Sequence, residues 1–349
     1  MTRYLDAAAS KKTDRPPIWL MRQAGRYLPE YRALRQKYSF MEMMKTPDLA
    51  TEVTLQPIQR YGFDAAILFS DILTTAEALG ATLTFVEKKG PVISNPIRTD
   101  DDLRTLNSQP ISEYASFVYQ AIKQILPELA KYNTPLIGFA GAPFTVASYM
   151  VEGGSSPDLK ETKRLIGHTP KLLHQLLDKL TIETIAYLRG QIEAGVHAVQ
   201  LFDTWAGLLS FEDFKTFALP YTQHIVTQLK TDYPHIPMTV FCRHSTTFSP
   251  LLCQLPIDVI SLDWQTDLHW AKASIPDHIA IQGNLDPGLL LASHDILTTR
   301  VQAILSIMAD RPGYIFNLGH GVTPDVPIDA VKRVVELVKE HKILTLMRD

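Results

Sequence analysis

The sequence predicts an α/β fold in the form of a closed (β/α)8 barrel of the TIM type. Eight short apolar runs recur along the 349 residues, and longer stretches with helical spacing separate them, which is the alternation typical of parallel α/β folds. The eight runs are residues 18–21, 65–69, 136–139, 198–202, 238–241, 259–262, 279–281 and 314–317. Because eight parallel strands close into a barrel, we predict a single (β/α)8 barrel domain over residues 1–349.

The stretches between the runs carry the signals of helices. Pro47, Pro170 and Pro287 stand where the first turn of a helix is expected, because the first turn does not use the N–H group that proline lacks. The predicted helices are residues 47–60, 112–130, 170–194, 211–231, 295–311 and 328–344.

One segment departs from this alternation. Residues 83–93 alternate loosely between apolar and polar around Lys88-Lys89-Gly90, which predicts an antiparallel β-hairpin inserted after the second barrel strand. A doubly wound open sheet is the alternative architecture. It requires a glycine-rich phosphate-binding turn after the first strand, and residues 22–26 (Arg22-Gln-Ala-Gly-Arg) are not such a turn.

Composition and charge narrow the class of protein. Apolar residues make up 46% of the chain and charged residues 20%, and a net charge of -3 argues against a general nucleic-acid or membrane-binding surface. No stretch approaches the roughly 18 apolar residues of a membrane span, and the first residues lack the apolar segment of a signal peptide. With only two cysteines, Cys242 and Cys253, a disulfide scaffold is not expected. We therefore expect a cytoplasmic protein without a nucleic-acid or membrane partner.

Two arginines follow the first apolar run. Arg22 and Arg26 stand where the strand is expected to end, Gly25 allows a turn or a close approach to a ligand, and Pro29 delays the next helix. A guanidinium is always charged and matches the geometry of a carboxylate, so this pair indicates a polyanionic ligand. The alternative is a solvated loop whose arginines pair with local acids such as Glu30.

Polar residues follow several other runs, at the end of the barrel where active sites of this fold lie. Asp71 follows the second run, where its carboxylate would stabilise a cation or, alternatively, cap a helix beginning near residue 72. Tyr149, Thr204 and His320 have structural alternatives too, namely a packed ring, a helix cap and a plain surface imidazole. The residue types alone leave these alternatives open.

Five motifs carry a resemblance to a known family. Residues 22–30 (Arg22-Gln-Ala-Gly-Arg-Tyr-Leu-Pro-Glu) resemble the N-terminal signature of the uroporphyrinogen decarboxylase family. Residues 69–74, 139–153, 202–207 and 317–322 are similar to its other motifs. The resemblance implies removal of CO2 from the four acetate side chains of uroporphyrinogen III, which gives coproporphyrinogen III in haem biosynthesis. It also implies a homodimer that works without a cofactor or metal.

The resemblance also implies roles for particular residues. Asp71 would bind the pyrrole N–H groups at the centre of the macrocycle. Our hypothesis is that Arg22 and Arg26 bind substrate carboxylates and that one of them protonates the ring. His320 and Tyr149 are the other candidates for the proton donor. The proposed catalytic residues are Asp71, Arg22 and Arg26, and the substrate contacts are Arg22, Gln23, Ala24, Gly25, Arg26, Asp71, Tyr149, Thr204 and His320. Since the substrate carries eight carboxylates, a third cation is expected, and Arg35 is the candidate.

The chain departs from the family pattern after the fifth run. Residues 241–245 (Phe241-Cys-Arg-His-Ser) replace a small, glycine-rich sequence, and Arg243 there either binds a carboxylate or faces solvent. Cys242, His244 and His320 also leave open a zinc-dependent methyltransferase of the same barrel superfamily, because thiolate and imidazole are zinc ligands. A third interpretation is a non-catalytic tetrapyrrole carrier.

Overall fold

The computed structural model describes residues 2–86 and 89–341. Within these residues seven strands form one parallel sheet in the order β1-β4-β5-β6-β7-β8-β9, and β2 and β3 form a separate antiparallel pair. The strands are β1 (Ala66–Ile67), β2 (Leu83–Val86), β3 (Gly90–Ile93), β4 (Leu136–Gly141), β5 (Ala198–Asp203), β6 (Met238–Cys242), β7 (Val259–Ser261), β8 (Ala280–Leu285) and β9 (Tyr314–Leu318). The TIM-type architecture predicted from the sequence is confirmed.

The first predicted strand, residues 18–21, is reduced to a single bridge. Ile18 pairs in parallel with Phe316 of β9, and its carbonyl accepts the N–H of Asp64 at 2.9 Å, just before β1. This segment therefore stands between β9 and β1, where the eighth strand of a closed barrel belongs. A longer strand does not form because the chain turns immediately afterwards, with the N–H of Gln23 donating to the carbonyl of Leu20 at 2.8 Å.

The helices surround the sheet. They are α1 (Arg3–Ala8), α2 (Pro29–Arg35), α3 (Phe40–Lys45), α4 (Pro47–Tyr61), α5 (Thr74–Ala78), α6 (Asp100–Arg104), α7 (Ile111–Tyr114), α8 (Ser116–Ala130), α9 (Pro143–Glu152), α10 (Lys160–His168), α11 (Pro170–Ala194), α12 (Phe211–Phe217), α13 (Leu219–Asp232), α14 (Ser245–Leu252), α15 (Leu268–Ser274), α16 (His294–Met308) and α17 (Ile328–Glu340), with 3-10 turns at Trp205–Leu208 and Pro287–Leu291. No helix in residues 2–86 and 89–341 combines the length and apolar content that a membrane crossing needs.

Most predicted helices are found, with differences at their ends and interiors. Pro47, Pro170 and Pro287 do occupy first turns, as predicted. The predicted helix 112–130 is divided between α7 and α8, and the predicted helix 211–231 is divided at Ala218. The second break has a clear cause, because Pro220 has no N–H group to continue the helix of α12. Of the predicted helix 328–344, residues 342–344 lie outside the described part of the chain.

The segment predicted as a hairpin contains the antiparallel pair β2 and β3, with Leu83 opposite Ile93 and Val86 opposite Gly90. Lys88 of the predicted turn lies outside the described residues. The pair is attached to the barrel through the Ile93 N–H, which donates to the carbonyl of Gly153 after α9 at 3.0 Å.

A layer of buried polar groups crosses the barrel interior. The indole N–H of Trp19 donates to Oε1 of Gln282 at 2.9 Å, and the amide nitrogen of Gln282 donates to Gln200 at 3.2 Å and to Ser261 at 3.0 Å. All four side chains are buried, so these bonds are protected from water. The network ties the Ile18 segment to β5, β7 and β8 beneath the carboxyl ends of the strands. We call that end the mouth of the barrel.

Candidate active site

The loop that carries Arg22 is anchored on both sides. Before it, the carboxylate of Asp64 accepts two bonds from Arg15, at 2.8 and 2.9 Å, and one from the N–H of Ile18 at 2.8 Å. After it, the buried side chain of Gln23 accepts the N–H of Leu20 at 3.0 Å and donates to the carbonyl of Ala65 at 3.1 Å. The predicted contact residue Gln23 therefore uses its amide to position this loop.

Arg22 itself adopts a left-handed backbone, with φ of 63°. This conformation costs an ordinary L-residue about 1 kcal/mol or more, so the surrounding bonds must impose it. Gly25 has no positive φ, and the turn that starts there is closed by the Leu28 N–H, which donates to the Gly25 carbonyl at 3.0 Å. The Arg22 side chain then runs over Gly321, where an added Cβ would overlap Arg22 Cδ and would lie 2.7 Å from Cγ.

Asp71 lies in the short segment between β1 and α5. Its Oδ1 accepts the N–H of Leu73 at 2.7 Å, while α5 begins at Thr74 with Leu73 at the N-cap. Asp71 is thus not the helix cap of the alternative interpretation, although it stabilises the turn before the helix. Its Oδ2 has no hydrogen-bond partner in the part of the chain that the structure describes. That oxygen is available to a ligand.

The charge state of Asp71 follows from its surroundings. Burial raises the pKa of Asp71 to about 6, and the charge of Glu77 acts in the same direction. The bond from Leu73 and the charge of Arg22 oppose this increase. The carboxylate is still mostly ionised at neutral pH, and Asp71 is partly exposed to solvent.

Arg22 and Arg26 have no ion-pair partner among the described residues. Glu30, the local acid of the alternative interpretation, instead pairs with Arg60 at 2.7 and 2.8 Å. Burial lowers the pKa of Arg22, the charges of Tyr149 and Asp71 oppose this, and the charge of Arg26 adds to it. Arg22 is nevertheless exposed to solvent. An unpaired guanidinium that is open to solvent and lies close to a second one suits an anionic ligand.

His320 follows β9 in a loop that is bonded to the Arg22 loop, since the N–H of Val322 donates to the carbonyl of Met21 at 2.9 Å. The ring centroid lies 6.0 Å from that of Phe241 and 6.2 Å from that of Trp264. Burial lowers the pKa of His320 to about 3, and the charges of Arg22 and Arg243 contribute to this decrease. The imidazole is therefore neutral at physiological pH and able both to donate and to accept.

Tyr149 and Thr204 come from neighbouring elements. Tyr149 on α9 makes an edge contact with Trp205, at 5.9 Å between ring centroids. Thr204 precedes the 3-10 turn, but its hydroxyl does not cap that turn, because the N–H of Trp205 donates to Thr145 at 3.0 Å. Thr145 in turn donates to the buried Asp203 at 2.6 Å. In residues 2–86 and 89–341 the hydroxyls of Tyr149 and Thr204 have no hydrogen-bond partner.

Three further predicted residues have less distinctive surroundings. Ala24 and Gly25 are partly exposed in the Arg22 loop, and the carbonyl of Gly25 accepts the N–H of Leu28 at 3.0 Å. Arg35, the expected third cation, is exposed at the end of α2 and donates to the carbonyl of Tyr38 at 2.6 Å. That contact closes the C-terminal end of α2.

The structure adds Trp264 to the mouth, a residue that the sequence analysis did not single out. The guanidinium carbon of Arg243 lies 5.7 Å from the centre of the Trp264 ring, within the range of a cation–π contact. The signal for Trp264 was its place directly after the buried Asp263, at the end of β7. That position alone does not distinguish Trp264 from an aromatic residue of the core.

The zinc site of the alternative interpretation is not formed. Cys242, His244 and His320 do not converge, and no cluster of three metal-ligating side chains occurs in the described residues. Burial raises the pKa of the Cys242 thiol well above its usual range, and its Sγ lies 3.2 Å from the carbonyl of Arg243. These three residues therefore do not support a methyltransferase zinc centre.

Comparison with solved structures agrees with the fold. A methyltransferase from Methanosarcina mazei superposes with a TM-score of 0.78 at 20% identity, covering 97% of this chain and 97% of that chain. A B12-independent methionine synthase from Shewanella sp. W3-18-1 gives a TM-score of 0.57 at 12% identity, covering 94% and 96%. At such low identity these similarities show the shared barrel alone.

Sequence comparison is more specific. Uroporphyrinogen decarboxylase of Protochlamydia amoebophila is 47% identical over 97% of this chain and 92% of its own length. The enzyme of that name from Legionella pneumophila is 45% identical over 97% and 96%, and that of Roseiflexus sp. is 44% identical over 97% and 98%. The family model described as uroporphyrinogen decarboxylase (URO-D) matches residues 1–341. The chain therefore belongs to the uroporphyrinogen decarboxylase family.

Proposed function

We propose that the mouth of this barrel carries out the decarboxylation of uroporphyrinogen III, the reaction of its family, with Asp71, Arg22 and Arg26 as the catalytic residues. One observation carries the assignment. Among the residues that the structure describes, a carboxylate oxygen without a partner lies near two guanidinium groups without ion pairs, since the charges of Asp71 and Arg26 both act on Arg22. The substrate presents the complementary groups, since it has pyrrole N–H donors at its centre and eight carboxylates around its edge.

Asp71 is assigned to the pyrrole N–H groups. Its Oδ1 is held by Leu73 at 2.7 Å, so the carboxylate is fixed before a substrate arrives, and Oδ2 accepts the N–H bonds. Because the pKa of Asp71 is about 6, the group is an anion at neutral pH. A fixed anion beside a pyrrole stabilises the positive charge that develops when the ring is protonated.

The reaction then needs no electron acceptor other than the pyrrole. Protonation of a ring carbon gives a cation, the bond between the acetate methylene and its carboxylate breaks, and the electron pair flows into the ring as CO2 leaves. A second proton adds to the exocyclic methylene and forms the methyl group, and the ring carbon releases the first proton. The net change is the replacement of one carboxylate by one proton.

We assign the ring proton to Arg22. His320 is neutral at the working pH because its pKa is lowered to about 3, so it carries no extra proton to donate. Arg22 is charged, and the protein atoms around its guanidinium lower its pKa, which makes it a stronger acid than a guanidinium in bulk water. Arg26, which is exposed at the same cleft, is assigned to a substrate carboxylate.

The other predicted contacts complete the binding surface. We assign the neutral imidazole of His320 and the hydroxyls of Tyr149 and Thr204 to hydrogen bonds with substrate carboxylates. Ala24 and Gly25 would border the substrate through their backbone. For Gln23 we propose a positioning role, because its side-chain amide already bonds to Leu20 and Ala65.

The test is anaerobic incubation with uroporphyrinogen III, followed by oxidation and chromatography that separates porphyrins by carboxylate number. We expect products with seven, six, five and four carboxylates to appear in order without added cofactor. Asp71→Ala should lower kcat by about a hundredfold or more, because it removes the fixed charge that the cation needs. An active Asp71→Ala enzyme would refute the mechanism.

The tetrapyrrole carrier is the competing function, and the same experiment separates it. A carrier binds uroporphyrin tightly but leaves all carboxylates in place. Among the described residues Oδ2 of Asp71 has no hydrogen-bond partner, and this favours the enzyme. A carrier that only binds carboxylates does not require an anion at the centre of its site.

We also propose a cytoplasmic location and a homodimeric state. Cys242 and Cys253 are both free thiols, which suits a reducing compartment. The dimer is proposed from the family resemblance. Sedimentation velocity at micromolar concentration measures it directly, and a single species of monomer mass would contradict it.

A further inference from the structure

Arg243 enters the mouth from the side opposite Arg22. In the strand order of the barrel, β6 lies across from the Ile18 segment, and Arg243 follows β6 directly. Its guanidinium carbon lies 5.7 Å from the centre of the Trp264 ring. His320 lies 6.2 Å from the same ring, between centroids. Arg243 and His320 therefore share one aromatic neighbour at the mouth.

The backbone of Arg243 is held from two directions. The next residue, His244, has a left-handed φ of 54°, and its N–H donates to Oδ2 of Asp263 at 2.6 Å. On the other side Gly207 packs so closely that an added Cβ would lie 2.6 Å from the carbonyl oxygen of Arg243. This support fixes the direction in which the side chain leaves the strand.

The charge of Arg243 has no protein partner among the residues that the structure describes. Asp263, which holds the neighbouring His244, makes no ion pair with Arg243, and its two oxygens accept bonds from the N–H of His244 and from the hydroxyl of Thr266 at 3.0 Å. The Nε of Arg243 is fully enclosed and makes no hydrogen bond. The positive charge reaches the cleft, since it contributes with Arg22 to the low pKa of His320. An oriented and unpaired guanidinium at this place needs an anion.

We propose that Arg243 binds a carboxylate at the edge of the substrate, on the side of the mouth opposite Arg22. This inference rests on the proposed function, because it takes the ligand to be a tetrapyrrole with carboxylates on all sides. Arg243 thereby supplies the third cation that the sequence analysis expected at Arg35. It contributes to binding and to the choice of highly carboxylated tetrapyrroles.

The test uses the purified full-length chain and the variants Arg243→Gln and Arg243→Lys. Dissociation constants are measured for uroporphyrin III, the unreactive oxidised form with eight carboxylates, and KM and kcat are measured for uroporphyrinogen III. For Arg243→Gln we expect both Kd and KM to rise by about tenfold or more, because a charge-assisted hydrogen bond is lost, while kcat changes by less than about threefold. Arg243→Lys should recover part of the loss.

Arg300→Gln is the matched control. Arg300 is exposed on α16 and also has no ion pair in the described part of the chain, so this variant removes the same charge away from the mouth. It should leave Kd and KM unchanged.

Unchanged Kd and KM in Arg243→Gln would overturn the inference. So would a loss of kcat accompanied by an altered near-ultraviolet circular dichroism spectrum, which would mark a structural role beside Trp264. If the wild type fails to decarboxylate, the proposed function fails, and the uroporphyrin Kd still decides the role of Arg243.

Discussion

The buried charge of Asp71 makes a prediction that separates stability from activity. The change is Asp71→Asn, which keeps an oxygen to accept the N–H of Leu73 and removes the negative charge. The charged form of this group is unfavourable in the folded protein, because burial raises its pKa. We therefore expect the variant to be more stable than the wild type at neutral pH and to lose at least about a hundredfold in kcat.

The size of the expected gain in stability follows from the pKa of Asp71. The value rises from 3.8 to about 6 on folding, and a difference of about two pH units corresponds to about 3 kcal/mol. Since the carboxylate also faces solvent at the mouth, screening reduces this figure, and we expect about 1–2 kcal/mol. A raised pKa means that the folded state binds the proton more tightly. The wild type therefore loses this stability as pH rises from about 4 through about 6.

The assay is denaturant unfolding of both proteins at about pH 5 and about pH 8, where linkage predicts roughly half and nearly all of the stability gain. Asp267→Asn is the control, because Oδ1 of Asp267 accepts the N–H of His269 at 2.9 Å in the same local geometry but is exposed. The free energy of unfolding of this control should differ little from that of the wild type at either pH. A gain that is equal at the two pH values, or a less stable Asp71→Asn, would refute the reasoning.

Two further predictions concern the packing of Arg22 and the pH dependence of activity. Gly321→Ala should lower kcat/KM by about tenfold or more, because its Cβ displaces the Arg22 side chain, whereas Gly167→Ala, which has no atom within 4 Å of the added Cβ, should not. Equal kinetics for the two variants would show that the course of Arg22 over Gly321 does not matter. In a pH profile of kcat/KM, activity should fall as pH drops through about 6, where Asp71 takes up a proton. The His320→Asn variant should show the same fall in kcat/KM below about pH 6, because His320 is already neutral in that pH range. If the fall disappears in this variant, the titrating group is His320.

Much of the fold could be predicted because burial leaves a periodic trace in the sequence. The run at residues 136–139 is apolar along its length, and the run at residues 198–202 is apolar apart from Gln200, since parallel strands are covered on both faces. The positions of the strand ends then predicted Asp71, Thr204 and His320 as site residues. The run at residues 18–21 has the same apolar pattern, but its pairing is cut short by the turn at Gln23. The length of a strand depends on how many hydrogen bonds it forms with its partner strand. A local hydrophobic pattern does not contain that information.

The sequence by itself determined the alternation of strands and helices, the loop that carries Arg22, and the set of polar residues at the strand ends. The tertiary structure decided which of these groups remain unpaired. Glu30 pairs with Arg60 from α4, and this leaves Arg22 and Arg26 without an ion pair among the described residues. It also decided that His320 is neutral, through burial and the nearby charges of Arg22 and Arg243. The physical reason is that ion pairing and pKa depend on distances between residues far apart in the chain, whereas local periodicity records only which side chains face the core.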